Sequence, residues 1–370
     1  MLLTPGPTPV PAFVRRAMSV ETINHRTPEF EAIFKDTRAL LLELFGMSEC
    51  LMIASSGTGA MESCVINLCH KKALVIDSGK FGERFGKICK ALNIDHTIIK
   101  NEWNTPVDIN EVLNVIKNDD SIDAIFIQVC ESSAGLRHPV EDIAKEVKKI
   151  NPSVTIVADG ITAVGVEKID VSNIDALLTG SQKALMLPTG LSIIGLSDDA
   201  ILKIQSKQSG YYFNLASEIK KQRQNTTAYT PTVSIIIGLK EILLHLKDKG
   251  FDELYNKTAL RAKSTRDTLV SIGLKIYPKT PANSMTTIYH EKSNEIRNIL
   301  KYKYGVSIAG GQDELKGKIF RINHMGLVED YEAIWVVNAI ELALDELKIR
   351  KFDGTCNKVM VENLLLSSKN

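Results

Sequence analysis

Residues 154–185 read VTIVADGITAVGVEKIDVSNIDALLTGSQKAL, and they contain two short apolar runs that each end in a polar segment. Val154–Ala158 and Ala176–Leu178 predict buried strands, because both are short apolar runs. Asp159 follows the first run and Lys183 follows the second. Both side chains are candidate site residues, because ligands of open α/β sheets bind at the carboxyl ends of strands. Taken singly, Asp159 could equally cap a loop, and a lysine after a strand is usually exposed to solvent.

Similar apolar runs recur through the first half of the chain and alternate with stretches of helical periodicity. This alternation predicts βαβ units and a mainly parallel sheet, of the seven-stranded type, covered on both faces. The further runs are Ala73–Ile76, His96–Ile99, Ala124–Val129 and Leu191–Leu196. The helical stretches are 29–45, 58–70, 82–92, 109–116 and 140–150.

The pattern changes after Gly250, which follows a predicted linking helix over Val233–Lys249. Two long helices are predicted beyond it, with short strands between them, and this indicates a smaller α+β domain. The helices are 251–272 and 331–347, and the strands lie near 284–289, 306–309 and 319–323. A chain of 370 residues also exceeds the roughly 250–300 residues of a single core. We predict an N-terminal arm over 1–15, a large domain over 16–250, a small domain over 251–350 and an unassigned tail over 351–370 with frayed last residues.

Composition and charge narrow the class of protein. The net charge is +1 and charged residues make up 24% of the chain, so no global field favours nucleic acid or an anionic membrane. No apolar run approaches the roughly 20 residues that span a bilayer. The six cysteines are scattered without metal-ligand spacing, which predicts no metal site and reduced thiols. We expect a cytoplasmic protein without a signal peptide.

Two further segments carry candidate chemistry. Ser55-Ser56-Gly57-Thr58-Gly59 opens a helix after a short apolar run, and the free amides of such a turn suit a phosphate. The same residues could simply cap the helix. Arg321 alternates with apolar residues in Ile319–Asn323, where a guanidinium could hold a substrate carboxylate or form a structural ion pair.

Together, the phosphate turn, the strand-end Asp159, the strand-end Lys183 and the late Arg321 resemble the class V aminotransferases of the type I pyridoxal-phosphate fold. The branch most similar is that of alanine–glyoxylate and serine–pyruvate aminotransferases. The resemblance runs from Leu3 to about Leu347. It is carried by the segments TPGPT (4–8), NHRTPEF (24–30), SGT (56–58), GKFGER (79–84), ESSAG (131–135), DGITAVG (159–165), GSQKAL (180–185) and FRI (320–322).

The resemblance implies a role for each matched residue. Lys183 would hold pyridoxal 5'-phosphate as a Schiff base and shuttle a proton, while Asp159 would pair with the pyridine nitrogen. Arg321 would bind the substrate carboxylate, with Gly6 of the opening arm also at the substrate. The other cofactor contacts implied are Ser56, Gly57 and Thr58 at the phosphate, Phe81 stacked on the ring, Ser132 and Gln182 beside it, and Thr230, with Tyr229, at the phosphate of a neighbouring subunit.

The implied activity is transfer of an amino group from serine or alanine to glyoxylate or pyruvate, by a ping-pong mechanism in a homodimer with shared sites. Ala134 stands where many relatives have threonine, so one hydroxyl near the cofactor is expected to be missing. Two rivals share the fold. A 2-aminoethylphosphonate aminotransferase would differ only in its amine, and a cysteine desulfurase would need a nucleophilic cysteine on a mobile loop, for which Cys356 is the candidate in the second half of the chain.

Overall fold

The computed structural model describes residues 1–366, which form two large sheets surrounded by helices and a small two-stranded sheet of Cys130–Glu131 and Leu136–Arg137. The strands are β1 Leu2–Leu3, β2 Glu49–Ser55, β3 Lys72–Asp77, β4 Asp95–Lys100, β5 Ile122–Gln128, β6 Cys130–Glu131, β7 Leu136–Arg137, β8 Thr155–Asp159, β9 Ala176–Gly180, β10 Gly190–Leu196, β11 Lys275–Ile276, β12 Met285–Tyr289, β13 Ser307–Gly310 and β14 Ile319–Asn323. The helices are α1 Ala12–Met18, α2 Pro28–Phe45, α3 Gly57–Leu68, α4 Lys80–Ala91, α5 Ile109–Asn118, α6 Val140–Ile150, α7 Asp198–Ser206, α8 Leu215–Gln222, α9 Val233–Lys249, α10 Phe251–Ser271, α11 Ser293–Tyr302, α12 Asp330–Glu346 and α13 Thr355–Val361.

The larger sheet has seven strands in the order β2-β10-β9-β8-β5-β3-β4. The pairs from β9 to β4 are parallel, whereas β10 runs antiparallel to both of its neighbours. Helices α3, α4, α7 and α8 cover one face, and α1, α2, α5, α6 and α9 cover the other. The predicted mainly parallel seven-stranded sheet, covered on both faces, is confirmed.

Local signals fix the ends of individual helices. Thr27 accepts a hydrogen bond from the Phe30 amide at the start of α2, and Pro28 occupies the first helical position. Gly46 ends the same helix with a left-handed φ of 63°, a conformation that favours glycine.

The smaller sheet has five strands in the order β1-β13-β14-β12-β11, packed against α10, α11, α12 and α13. Its pairs are antiparallel except at the edge, where β1 runs parallel to β13. The N-terminal segment therefore enters this sheet through Leu2–Leu3 before it crosses to the larger sheet, and α1 begins at Ala12.

The C-terminal segment is more structured than the sequence indicated. The sequence predicts no helix or strand in the tail over 351–370, but α13 and a short π-helix over Glu362–Leu366 occupy it. Cys356, Met360 and Leu364 are buried there against the core of the smaller sheet. Their long-range packing stabilises helices that show little periodicity of their own. The predicted fraying of the last residues concerns 367–370, which lie outside the described part.

No helix within residues 1–366 combines the length and apolar character needed to cross a membrane.

Candidate active site

The carboxyl ends of the parallel strands bring the candidate residues to one edge of the larger sheet. Asp159 ends β8 and pairs in register with Leu178 of β9, and Lys183 follows β9 after one turn. Gly180 carries this turn close to the phosphate turn, because a Cβ on Gly180 would lie 3.4 Å from the Gly57 amide nitrogen. The phosphate turn at Gly57 lies more than a hundred residues before Asp159 and Lys183 in sequence, but all three meet at the edge where α/β proteins bind ligands.

The Lys183 amine lies beneath the N-terminal arm. Its Nζ donates a hydrogen bond of 2.6 Å to the Pro5 carbonyl, and Thr8 Oγ1 donates one of 2.7 Å to the Lys183 carbonyl. A Cβ on Gly6 would lie 2.5 Å from Nζ, so glycine is needed for the arm to pass this closely. Burial, and then the charge of Arg321, lower the pKa of the Lys183 amine from 10.5 to about 8.

The Asp159 carboxylate is buried, with 3% of the residue exposed. Its Oδ1 accepts a hydrogen bond of 2.9 Å from the Ile161 amide. Burial raises the pKa of this carboxyl to about 7, opposed by that hydrogen bond and by the charges of Arg84 and Lys183. A cationic ring nitrogen beside Asp159 would therefore stabilise the carboxylate form.

Within residues 1–366, the phosphate turn contains backbone donors that have no acceptor. Ser56 is the N-cap of α3, but its side chain makes no capping hydrogen bond. The first intrahelical bond in this turn runs from the Ala60 amide to the Ser56 carbonyl, which leaves the amides of Gly57, Thr58 and Gly59 directed out of the helix. These amides, together with the helix dipole, are suited to an anion.

Arg321 is a buried guanidinium held by main-chain oxygens. Its Nη1 donates a hydrogen bond of 2.6 Å to the Ser132 carbonyl, and its Nη2 donates one of 2.6 Å to the Gly310 carbonyl. No carboxylate within residues 1–366 forms an ion pair with Arg321, which is 7% exposed. Burial lowers its pKa to about 10. A buried guanidinium without an ion-pair partner in this part of the chain is suited to a carboxylate ligand.

Glu131 positions the segment that carries Phe81, a role not recognised from the sequence. The buried Glu131 Oε2 accepts hydrogen bonds of 3.0 Å from the amides of Phe81 and Gly82, in the first turn of α4. Its Oε1 accepts one of 2.6 Å from Ser133 Oγ. The acid is part of the ESSAG segment, but only the fold brings it to the start of a helix 50 residues earlier in the chain.

Ser132 and Gln182 also lie at this edge. Ser132 is buried, and Gln182 Oε1 is a buried acceptor without a hydrogen-bond partner in the part of the chain described. Thr230 is separate from them. It lies in the loop before α9 and lines a crevice with Ala54 and Tyr212, while Tyr229 stacks on the Tyr212 ring at 5.2 Å between centroids.

These features fit pyridoxal 5'-phosphate. An aldehyde needs an amine of low pKa such as Lys183, and a pyridine nitrogen needs a buried acid such as Asp159. The phosphate needs donors such as the free amides at the start of α3. Gln182 Oε1 is among the buried polar atoms that have no hydrogen-bond partner within residues 1–366, and a ligand could supply one.

The fold and this grouping of residues define a pyridoxal-phosphate-dependent aminotransferase. The chain belongs to the class V aminotransferase family. The model of that family, described as "Aminotransferase class-V", matches residues 12–323. Pyridoxal phosphate is accordingly its cofactor.

Individual relatives match over nearly the whole chain. An uncharacterized aminotransferase of Helicobacter pylori is 47% identical over 363 residues, 98% of each chain. The serine–glyoxylate aminotransferase of Methylorubrum extorquens is 28% identical over 96% of this chain and 93% of its own. Among solved structures, an aspartate aminotransferase of subgroup IV from Thermus thermophilus is 29% identical, with a TM-score of 0.87 over 93% of this chain and 99% of its own.

Proposed function

We propose that this aminotransferase moves the amino group of a small amino acid, serine or alanine, to a small 2-oxo acid, glyoxylate or pyruvate. The observation that carries the proposal is the unpaired Arg321 guanidinium, which acts electrostatically on the nearby Lys183 amine. An amino acid whose carboxylate pairs with Arg321 would have its α-carbon directed toward that amine. The Methylorubrum relative acts on serine and glyoxylate, which agrees with this choice.

The N-terminal arm favours a small donor. Gly6 lies so close to Lys183 that even an added methyl group would lie 2.5 Å from Nζ. A substrate side chain directed toward the arm would meet the same backbone. This restriction supports serine and alanine over bulkier amino acids.

Each proposed residue would perform one task. Pyridoxal phosphate supplies an aldehyde that reacts with amines, and a ring that accepts the electron pair left on the α-carbon when the α-proton is removed. The Lys183 amine would bind the cofactor, then take the α-proton of the donor at Nζ and pass it to the aldehyde carbon of the cofactor, where the amino group stays. It would carry a proton in the opposite direction when the second substrate is aminated. A pKa of about 8 leaves a useful fraction of this amine neutral at neutral pH. Asp159 would hold the negative charge beside the ring nitrogen.

The remaining residues would bind and orient. Ser56, Gly57 and Thr58 would hold the phosphate at the start of α3, and Phe81 would stack on the ring. Ser132 and Gln182 would complete the cofactor contacts from the ESSAG and GSQKAL segments.

We also propose a homodimer in which Thr230 reaches the cofactor phosphate of the partner subunit. In the described chain Thr230 is exposed and belongs to a surface with Tyr212 and Tyr229, whose rings are partly exposed. Tyr211 beside them is 82% exposed, so this aromatic surface is a candidate for burial between subunits.

The desulfurase alternative is disfavoured by the position of its required thiol. Cys356 is fully buried in α13, within the core of the smaller sheet, and burial raises its pKa to about 12. A thiol in this environment is neither mobile nor present as the reactive thiolate.

A half-reaction with one donor tests the proposal. The holoenzyme is mixed with L-serine, L-alanine, L-aspartate or 2-aminoethylphosphonate without any 2-oxo acid. Cofactor absorption and the released oxo product are followed. Serine or alanine should convert one equivalent of cofactor fastest. Fastest conversion by aspartate or the phosphonate would overturn the proposed donor, and sulfide release from cysteine would indicate a desulfurase.

Two arginine variants refine this test. Arg321→Gln should raise the KM for serine by roughly a hundredfold, because it removes a charge-assisted pair to the carboxylate. Arg297→Gln is the matched control, since Arg297 also lies near Gly310 but donates to the Ile308 carbonyl and to Asn294. An equal effect of the two changes would contradict the role of Arg321.

A further inference from the structure

Arg84 lies between the proposed stacking aromatic and the phosphate turn. It follows Phe81 by three residues in α4, so the two side chains share one face of the helix. The centre of its guanidinium is 4.6 Å from the centroid of the Phe81 ring. Its Nη1 donates a hydrogen bond of 2.9 Å to Thr58 Oγ1 in the first turn of α3. One side chain thereby joins two elements that the cofactor would contact.

The charge of Arg84 acts at a distance on the buried Asp159 carboxyl, whose pKa it lowers, rather than through an ion pair. The neighbouring Glu83 is engaged by Lys80 at 3.3 Å and by Lys87 at 2.6 Å. Residues 1–366 provide no carboxylate that pairs with Arg84. A guanidinium has five N–H donors, and the hydrogen bond to Thr58 uses one of them. Arg84 therefore retains both charge and donors for a ligand.

The adjacent turn lacks a cation of its own. The twelve residues of α3 include no lysine or arginine, and the end of a helix supplies only about half a positive charge. A phosphate group at this turn carries nearly two negative charges near neutral pH. A guanidinium bound to the Thr58 hydroxyl stands where it would balance this excess.

We propose that Arg84 is a ligand of the cofactor phosphate, acting together with Thr58, while its guanidinium also supports the Phe81 ring. The proposal rests on the pyridoxal-phosphate assignment and adds a residue to it. A purely structural Arg84 would serve only to hold Phe81 in place. The two roles differ in which part of the cofactor they affect, the phosphate or the ring.

Equilibrium binding to the apoprotein separates these roles. Binding of pyridoxal 5'-phosphate is compared with binding of pyridoxal, which has the same ring and aldehyde but no phosphate. Arg84→Gln should weaken the binding of pyridoxal phosphate by roughly ten- to a hundredfold, which is the usual loss when a hydrogen bond to a charged group is removed. Binding of pyridoxal should weaken by less than about threefold, because pyridoxal has no phosphate charge for the guanidinium to attract. Arg84→Lys should restore much of the loss.

Two controls complete the design. Phe81→Leu should weaken both ligands, because it removes ring stacking. Lys87→Gln, one turn further along α4 and exposed, should weaken neither. Inorganic phosphate should compete with pyridoxal phosphate for the unsubstituted protein and much less for Arg84→Gln.

Equal losses for both ligands in Arg84→Gln would show that Arg84 acts only through Phe81 and would overturn the proposal. No loss for either ligand would also overturn it. If the unsubstituted protein bound neither ligand, the cofactor assignment itself would fail, and this proposal with it.

Discussion

The titration of Lys183 is the most direct consequence of its surroundings. The amine is enclosed beneath the N-terminal arm and faces the charge of Arg321. Burial first, and then Arg321, bring its pKa down from 10.5 to about 8. In the apoprotein, Lys183 should therefore become reactive near pH 8. Replacing Arg321 by glutamine should move this midpoint upward.

The size of the effect follows from the two pKa values. At pH 7 an amine of pKa about 8 is roughly one-tenth neutral, whereas one of pKa 10.5 is about one part in 3,000 neutral. Since only the neutral amine attacks a carbonyl, the environment increases the reactive fraction of Lys183 by roughly 300-fold. Every unit of pKa that Arg321→Gln restores removes about tenfold of that gain.

Competitive acetylation of the apoprotein measures this quantity for one lysine at a time. The protein is labelled with a trace of anhydride between pH 6 and 11. Modification of the peptide that contains Lys183 is then read by mass spectrometry, with exposed Lys249 as an internal reference for the reagent. Arg297→Gln is the control, because Arg297 is not among the groups that lower the pKa of Lys183. A midpoint near 10.5 in the unsubstituted protein, or an unchanged midpoint in Arg321→Gln, would refute the reasoning.

Two further predictions concern the arm and the C-terminal segment. Gly6→Ala should weaken pyridoxal-phosphate binding by about tenfold or more in an absorption titration, because its Cβ would lie 2.5 Å from Lys183 Nζ. Gly305→Ala has a similarly left-handed backbone but open space around it, so it should lower only the Tm; equal losses of affinity would contradict the steric explanation. Met360→Ala should lower the free energy of unfolding in urea by about 2–4 kcal/mol, because Met360 is fully buried. Leu366→Ala, at a side chain that is 51% exposed, should change the free energy of unfolding by less than about 0.5 kcal/mol. If Met360→Ala changed it as little as Leu366→Ala, the C-terminal segment would not pack as described.

Local periodicity was sufficient to predict most elements. The predicted bounds of Val140–Ile150, Val233–Lys249 and Ile319–Asn323 agree with α6, α9 and β14. These elements either repeat apolar residues with the period of a helix or form compact apolar runs. Neighbouring residues are therefore enough to predict which side chains are buried. Asp159 and Lys183 each follow such a run, which predicted that both lie at the carboxyl edge of a parallel sheet.

Local periodicity could not predict which distant segments pair or pack with each other. The antiparallel insertion of β10, and the pairing of β1 with β13, depend on which strand edges the fold leaves available. The helices of the tail could not be predicted locally, because they are short and are stabilised by the core of the smaller sheet.

The class of fold and the residue types at strand ends can be predicted from the sequence alone, because these properties are local. The contacts of these side chains depend on the tertiary structure. It placed the Pro5 carbonyl on Lys183, the Ser132 carbonyl on Arg321 and Thr58 on Arg84. The physical reason is that a periodic pattern specifies which face of an element is buried, whereas a hydrogen bond between residues 178 positions apart depends on how all the intervening elements pack.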